Sequence, residues 1–179
     1  KATDYMNAAQ VFLQEGKFYK AADHFALAAV WKPEDAQAWM GQVGSLFAAG
    51  EYMSSAYYLG QALSLKPEFV GQKISPAILI QKRDVIENGL VEAQTWQERS
   101  QSGELAFLMA YMLWQDGKVE RAADAIAKAD ALIPDSEAIK NLGSIIRASS
   151  SQTPAAANES GSLERIILPE TVHKDPNQP

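Results

Sequence analysis

Apolar and polar positions recur along this chain with the 3.6-residue spacing of helices, and the pattern itself repeats. Tyr5, Ala9, Phe12, Gly16, Phe18, Ala21, Phe25, Ala28 and Pro33 form one frame. Trp39, Val43, Leu46, Gly50, Tyr52, Ser55, Leu59, Ala62 and Pro67 restate it 34 residues later. A third frame, Ala106, Ala110, Leu113, Gly117, Val119, Ala122, Ile126 and Ala129, ends at Pro134. A fixed period near 34 with small residues at set offsets predicts stacked helical hairpins.

Each frame predicts two antiparallel helices. Over residues 3–31, Thr3 or Asp4 would cap the first helix and Gly16 would end it in the left-handed conformation that glycine adopts cheaply. The second would run from about Phe18 to Trp31 and stop ahead of Pro33, since the residue before a proline is pushed out of the helical region. Residues 35–66 and 103–132 repeat the plan, with turns at Gly50 and Gly117. The aromatic and alanine positions of the frames are expected to be core.

Residues 68–102 break the pattern. Ser75-Pro76 resembles a helix start, Asn88-Gly89 is a turn signal, and residues 90–100 are expected to form a short amphipathic helix with Leu90, Ala93 and Trp96. The 67 residues from Pro67 to Pro134 are about two periods, so the stretch reads as a degenerate third pair at 69–102; an arm inserted between two repeat blocks is the alternative. Residues 136–148 read as a capping helix with Ile139, Leu142, Ile145 and Ile146 on one face. The expected organisation is a repeat domain over 1–148 (repeats 2–34, 35–68, 69–102 and 103–135, then the cap). A linker and tail follow at 149–179, with an apolar segment at 163–169. The linker expectation rests on a shift to Ser, Ala, Gln, Asn, Gly and Pro after residue 148.

Composition narrows the function. The 179 residues carry a net charge of −6, which argues against nucleic acid, whose phosphates need a Lys/Arg footprint. No apolar run is long enough for a transmembrane helix. There is no cysteine, which excludes disulfides, thiol catalysis and thiolate metal sites. His24 and His173 give no metal-ligand spacing. Glu34-Asp35 sits where a helix begins, and acidic residues suit the positive end of a helix dipole. No nucleophile–base pair, phosphate-cradling loop, cofactor motif or metal constellation is present, so no enzyme, cofactor or metal is expected. The first residue is Lys1 rather than Met; a removed leader would imply export to the periplasm or cell envelope, and its absence would leave the chain cytoplasmic.

The small, aromatic, glycine, alanine and proline positions quoted above resemble those of the tetratricopeptide repeat family, well over about 100 residues and more weakly over roughly 35 more. The resemblance implies an all-α fold, a right-handed α-solenoid whose first helices line a concave groove. It also implies a protein- or peptide-binding role. Carried onto this sequence, the groove would be lined by Met6, Asn7, Gln10 and Leu13; by Gln37, Met40, Gly44 and Phe47; and by Phe107, Leu108, Tyr111 and Trp114. Some members hold a C-terminal carboxylate with Lys, Arg and Asn there. Met6, Gln10 and Gly41 stand at those positions, so an apolar or extended ligand is expected instead. A methionine-rich and aromatic patch marks either a binding groove or a core face covered by a neighbouring helix such as one from 68–102.

The expected function is therefore a non-catalytic scaffold or adaptor of a larger assembly that binds a protein or peptide. The small acidic three-repeat chaperones of bacterial type III translocators are similar in size and charge and form the alternative; the 68–102 block and the Ser/Ala-rich tail depart from them. The tail offers a candidate ligand of its own. Ile166, Ile167 and Leu168 could dock in a groove of the same molecule or of a neighbouring copy, giving self-association.

Overall fold

The computed structural model describes residues 1–151, and their regular structure is entirely helical. The first hairpin joins α1 (Ala2–Gln14) to α2 (Phe18–Trp31), and the second joins α3 (Ala36–Ala48) to α4 (Tyr52–Leu65). Gly16 and Gly50 close these hairpins at φ +72° and +81°, where a side chain would be strained. Asp35 caps α3, its carboxylate accepting from the Gln37 amide at 3.1 Å. That occupies one carboxylate of the Glu34-Asp35 pair in helix capping. Helix α1 starts at Ala2, so Thr3 and Asp4 lie inside its first turn rather than capping it.

Small residues set how closely the helices approach. Ala21, Phe25 and Ala28 of α2 are fully buried. A Cβ on Gly41 would sit 2.5 Å from the Phe25 ring, so α2 and α3 meet at a distance only glycine allows. Between α3 and α4, the buried Ser55 hydroxyl donates to the Val43 carbonyl at 2.8 Å. His24, half-buried on α2, packs edge-on against the rings of Tyr5 and Phe12 on α1.

Residues 67–102 do not form a helical pair of the expected size. A 3₁₀ turn (Pro67–Gly71) buries Phe69 and Val70. Helix α5 (Pro76–Ile80) starts at its proline and lasts five residues. Gln81 turns the chain at φ +56°, and α6 (Arg83–Ser100) follows as one helix of 18 residues. Asn88-Gly89 therefore lies inside α6 rather than at a turn. Tertiary packing overrides the local signal: a Cβ on Gly89 would be 2.7 Å from the Phe47 ring, so glycine is needed where α6 crosses α3. Gln101 ends α6 in the left-handed region, at φ +54°.

The third hairpin joins α7 (Gly103–Gln115) to α8 (Val119–Leu132) through Gly117, at φ +77°. Ser102 caps α7 by accepting from the Leu105 amide at 3.1 Å. Helix α9 (Glu137–Ser151) buries Ala138, Ile139, Leu142 and Ile146 and leaves Lys140, Asn141 and Arg147 exposed. Helix α4 packs directly on α7 and α9, so the third hairpin stacks on the second. The 67–102 segment leaves that stack: α5 lies on α3, and α6 lies on both α3 and α7. The architecture is an all-α array of antiparallel helix pairs, with one side filled by the intervening segment. Linker and tail expectations from residue 152 onward, Ile166, Ile167 and Leu168 included, lie outside the described residues.

Replacing Gly89 tests the crossing. Gly89→Ala should lower stability by about 1–3 kcal/mol through overpacking against Phe47, despite the gain in helix propensity. Urea unfolding of Gly89→Ala, Phe47→Leu and the double variant should show a double-variant cost smaller than the sum of the two. Additive costs would mean that the two residues do not touch.

Candidate functional site

The sequence places a groove along the first helices, and the chain itself fills most of it. Leu13, Met40, Gly44, Phe47, Phe107, Leu108, Tyr111 and Trp114 are buried; Met6 and Gln10 are half-buried, and only Asn7 and Gln37 of the set face water. Over α3 the filling comes from α5 and α6. Ile80 Cδ1 lies 3.5 Å from where a Gly44 Cβ would be, and Gly89 sits on Phe47. Over α7 it comes from residues 72–74. The Lys73 ammonium lies 3.9 Å from the centre of the Trp114 ring and donates to the Trp114 carbonyl at 2.6 Å. Burial lowers the pKa of that ammonium. Gln115 joins the same strap, accepting from the Ile74 amide and donating to the Gln72 carbonyl, each at 2.8 Å. Apolar burial drives both closures: the Met and aromatic face that suits a ligand suits the chain's own Leu79, Ile80 and Leu90 equally well.

Polar groups in this filled region are mostly paired. Tyr52, beneath α6, donates to Glu92 Oε2 at 2.7 Å and packs edge-on to Phe47 and Trp96. Tyr111 differs: its buried hydroxyl, near the Gln115 side chain, makes no hydrogen bond of good geometry with a described residue. Its neighbour one turn on, Gln115, is committed to the 72–74 strap.

An unfilled groove lies elsewhere, along α4. Ala56, Tyr57, Gly60, Gln61 and Ser64 of α4 face Ile133, Ser136, Ala138 and Ile139 of the α8–α9 corner, with Glu104 and Phe107 of α7 between them. The space measures about 220 Å³. Tyr57, 60% exposed, stands at its side. Gly60 leaves an open stretch of helix, since a Cβ there would meet nothing within 4 Å. Of the first-helix positions that the resemblance assigns to a groove, Glu104 and Phe107 belong to this one. Tyr57, Gly60 and Ile139 were not anticipated, because a first-helix groove directs attention away from second helices. The available signal was an aromatic followed three residues later by a glycine inside α4.

Other hollows differ in character. One of about 130 Å³ sits between α6, α7 and α8, with Gln94, Gln97, Arg121, Asp124 and Lys128 around Met109 and Leu113. A second, with Gln97, Glu98, Gln101 and Lys128 on its walls, opens beside Leu132. A third, of about 410 Å³ and largely apolar, lies at the hairpin turns beside Phe18 and Tyr19. There the Tyr19 hydroxyl donates to Glu51 at 2.7 Å and Lys17 pairs with Glu15. Among the described residues, no group of three or more His, Asp or Glu is placed to hold a metal ion, and no helix is long and apolar enough to cross a membrane.

No family model matches the sequence, and no curated protein matches it. Among solved structures, one of MamA, described as an RS-1 ArsTM double mutant, matches over 84% of this chain and 85% of that chain. The identity is 16% and the TM-score 0.37, a likeness too slight to carry an argument.

The two buried phenols make stability pH-dependent. Burial, and for Tyr52 the bond to Glu92 as well, holds both above the ordinary tyrosine value near 10. The folded state therefore keeps protons that the unfolded chain releases above about pH 10. Their contribution is complete below that pH and is lost as the pH rises beyond it. Urea midpoints should fall from about pH 10 upward, and less steeply in Tyr52→Phe/Tyr111→Phe. At neutral pH, Tyr111→Phe should stabilise by about 1 kcal/mol by removing an unpaired buried hydroxyl. A loss of stability would show that the hydroxyl has a partner.

Proposed function

We propose that this chain is a non-catalytic protein–protein interaction module of the tetratricopeptide type. In this reading it binds an extended, apolar peptide segment in the groove between α4 and α9 and serves as a scaffold or adaptor. The observation that carries the reading is the groove itself, an apolar trough of about 220 Å³ between two helices, beside an exposed tyrosine and a bare glycine. The 34-residue spacing of Pro33 and Pro67 and the left-handed glycine at each hairpin support the repeat type. Affinity would come from burying apolar area, at about 25 cal/mol per Å², with the Tyr57 ring as an anchor of low entropic cost. Gln61 and Ser64 on α4 offer hydrogen bonds to a ligand backbone, and Glu104 sets a preference against acidic ligands.

Fluorescence anisotropy with labelled extended peptides, each carrying three consecutive aliphatic residues, tests this. Tyr57→Glu should weaken binding at least tenfold, whereas Val30→Glu should leave it unchanged. Val30 is 74% exposed on α2, a helix outside the groove. Equal loss in both variants, or binding that ignores both, would overturn the groove.

A further inference from the structure

Gly60 is a mid-helix glycine that the described packing does not explain. A glycine inside a helix is destabilising relative to alanine, and at three other helical positions close packing demands it. Gly41 meets Phe25, Gly89 meets Phe47 and Gly103 meets Ile133, each with a would-be Cβ under 3 Å from a side-chain atom. Gly60 meets nothing within 4 Å, yet it lies in the α4–α9 groove. A bare helix surface of this kind admits the backbone of a second segment at close range.

The chain carries a segment that fits. Leu163-Glu164-Arg165-Ile166-Ile167-Leu168-Pro169 holds three consecutive aliphatic residues to set against the apolar groove. The geometry of α9 puts the groove within its reach. The Trp114 indole donates to Ser149 Oγ at 3.4 Å, so the C-terminal end of α9 lies at the C-terminal end of α7. The groove, at Glu104 and Phe107, lies at the N-terminal end of both helices. From Ser151 back to Ile139 is about 18 Å along the helix. As a flexible coil, the twelve steps from Ser151 to Leu163 would span about 17–21 Å root-mean-square. The two lengths agree.

We propose that residues 163–169 occupy the α4–α9 groove of their own molecule, as an intramolecular competitor of any outside peptide. This rests on the groove being a peptide site, as argued above. Tethering gives the segment an effective concentration in the millimolar range, so an outside ligand binds only when it displaces the tail.

The test uses the full chain and a labelled synthetic peptide covering residues 162–170. Ile166→Asp/Ile167→Asp should bind that peptide at least tenfold more tightly than the unaltered chain. Adding Gly60→Leu or, as an independent block, Tyr57→Glu to that variant should abolish the binding. A photo-crosslinker at position 57 of the otherwise unaltered chain should join residues 163–169 at monomer mass. Equal affinity for the unaltered and Ile166→Asp/Ile167→Asp chains, still lost with Gly60→Leu, would overturn the tail as occupant and leave the groove standing. A crosslink at dimer mass would overturn the intramolecular assignment in favour of a second copy. Peptide binding by neither chain would overturn both the tail and the groove.

Discussion

Helix α7 has almost no face to give to water. Every residue from Leu105 to Gln115 is buried, and a helix that is apolar all round is stable only when covered all round. The rest of the array supplies that cover: α4, α6, α8 and α9 all pack against it, and residues 72–74 close its C-terminal end. A regular hairpin stack would leave one side of such a helix open. The departure of residues 67–102 from the repeat is thus the counterpart of α7's composition, since the segment furnishes the missing wall.

Close approach is the means by which that wall fits. Gly41 and Gly89 remove side chains where α2 and α6 press on α3, and the rings of Phe25 and Phe47 occupy the relieved space. Apolar surface that an open solenoid would display to partners becomes interior. An open groove remains between the second helix of a pair, α4, and the α8–α9 corner.

The repeats were legible in the sequence because their signals are local. Hairpin glycines, capping residues and small-residue positions act within a few residues, and Gly16, Gly50, Gly117 and Asp35 do what their types imply. The 68–102 block was not legible, because its conformation is set by distant partners. Asn88-Gly89 carries a turn signal, but Phe47, more than 40 residues earlier, decides that a helix passes there. The burial of most of the expected groove positions has a related reason. Composition shows that Met40, Phe47, Tyr111 and Trp114 need cover, and cannot say whether a ligand or the chain supplies it. That ambiguity is settled by Ile80 over Gly44 and Lys73 over Trp114, contacts that no periodicity contains.

Helix α6 also changes the mechanics of the array. Repeats that touch only their neighbours behave as a spring, each interface adding a small bend. Because α6 spans from α3 to α7, it braces helices from two different hairpins, and Tyr52 bonded to Glu92 pins the brace at α4. The molecule becomes a strut rather than a spring. The two walls of the α4–α9 groove keep their separation, and its shape is set when the chain folds.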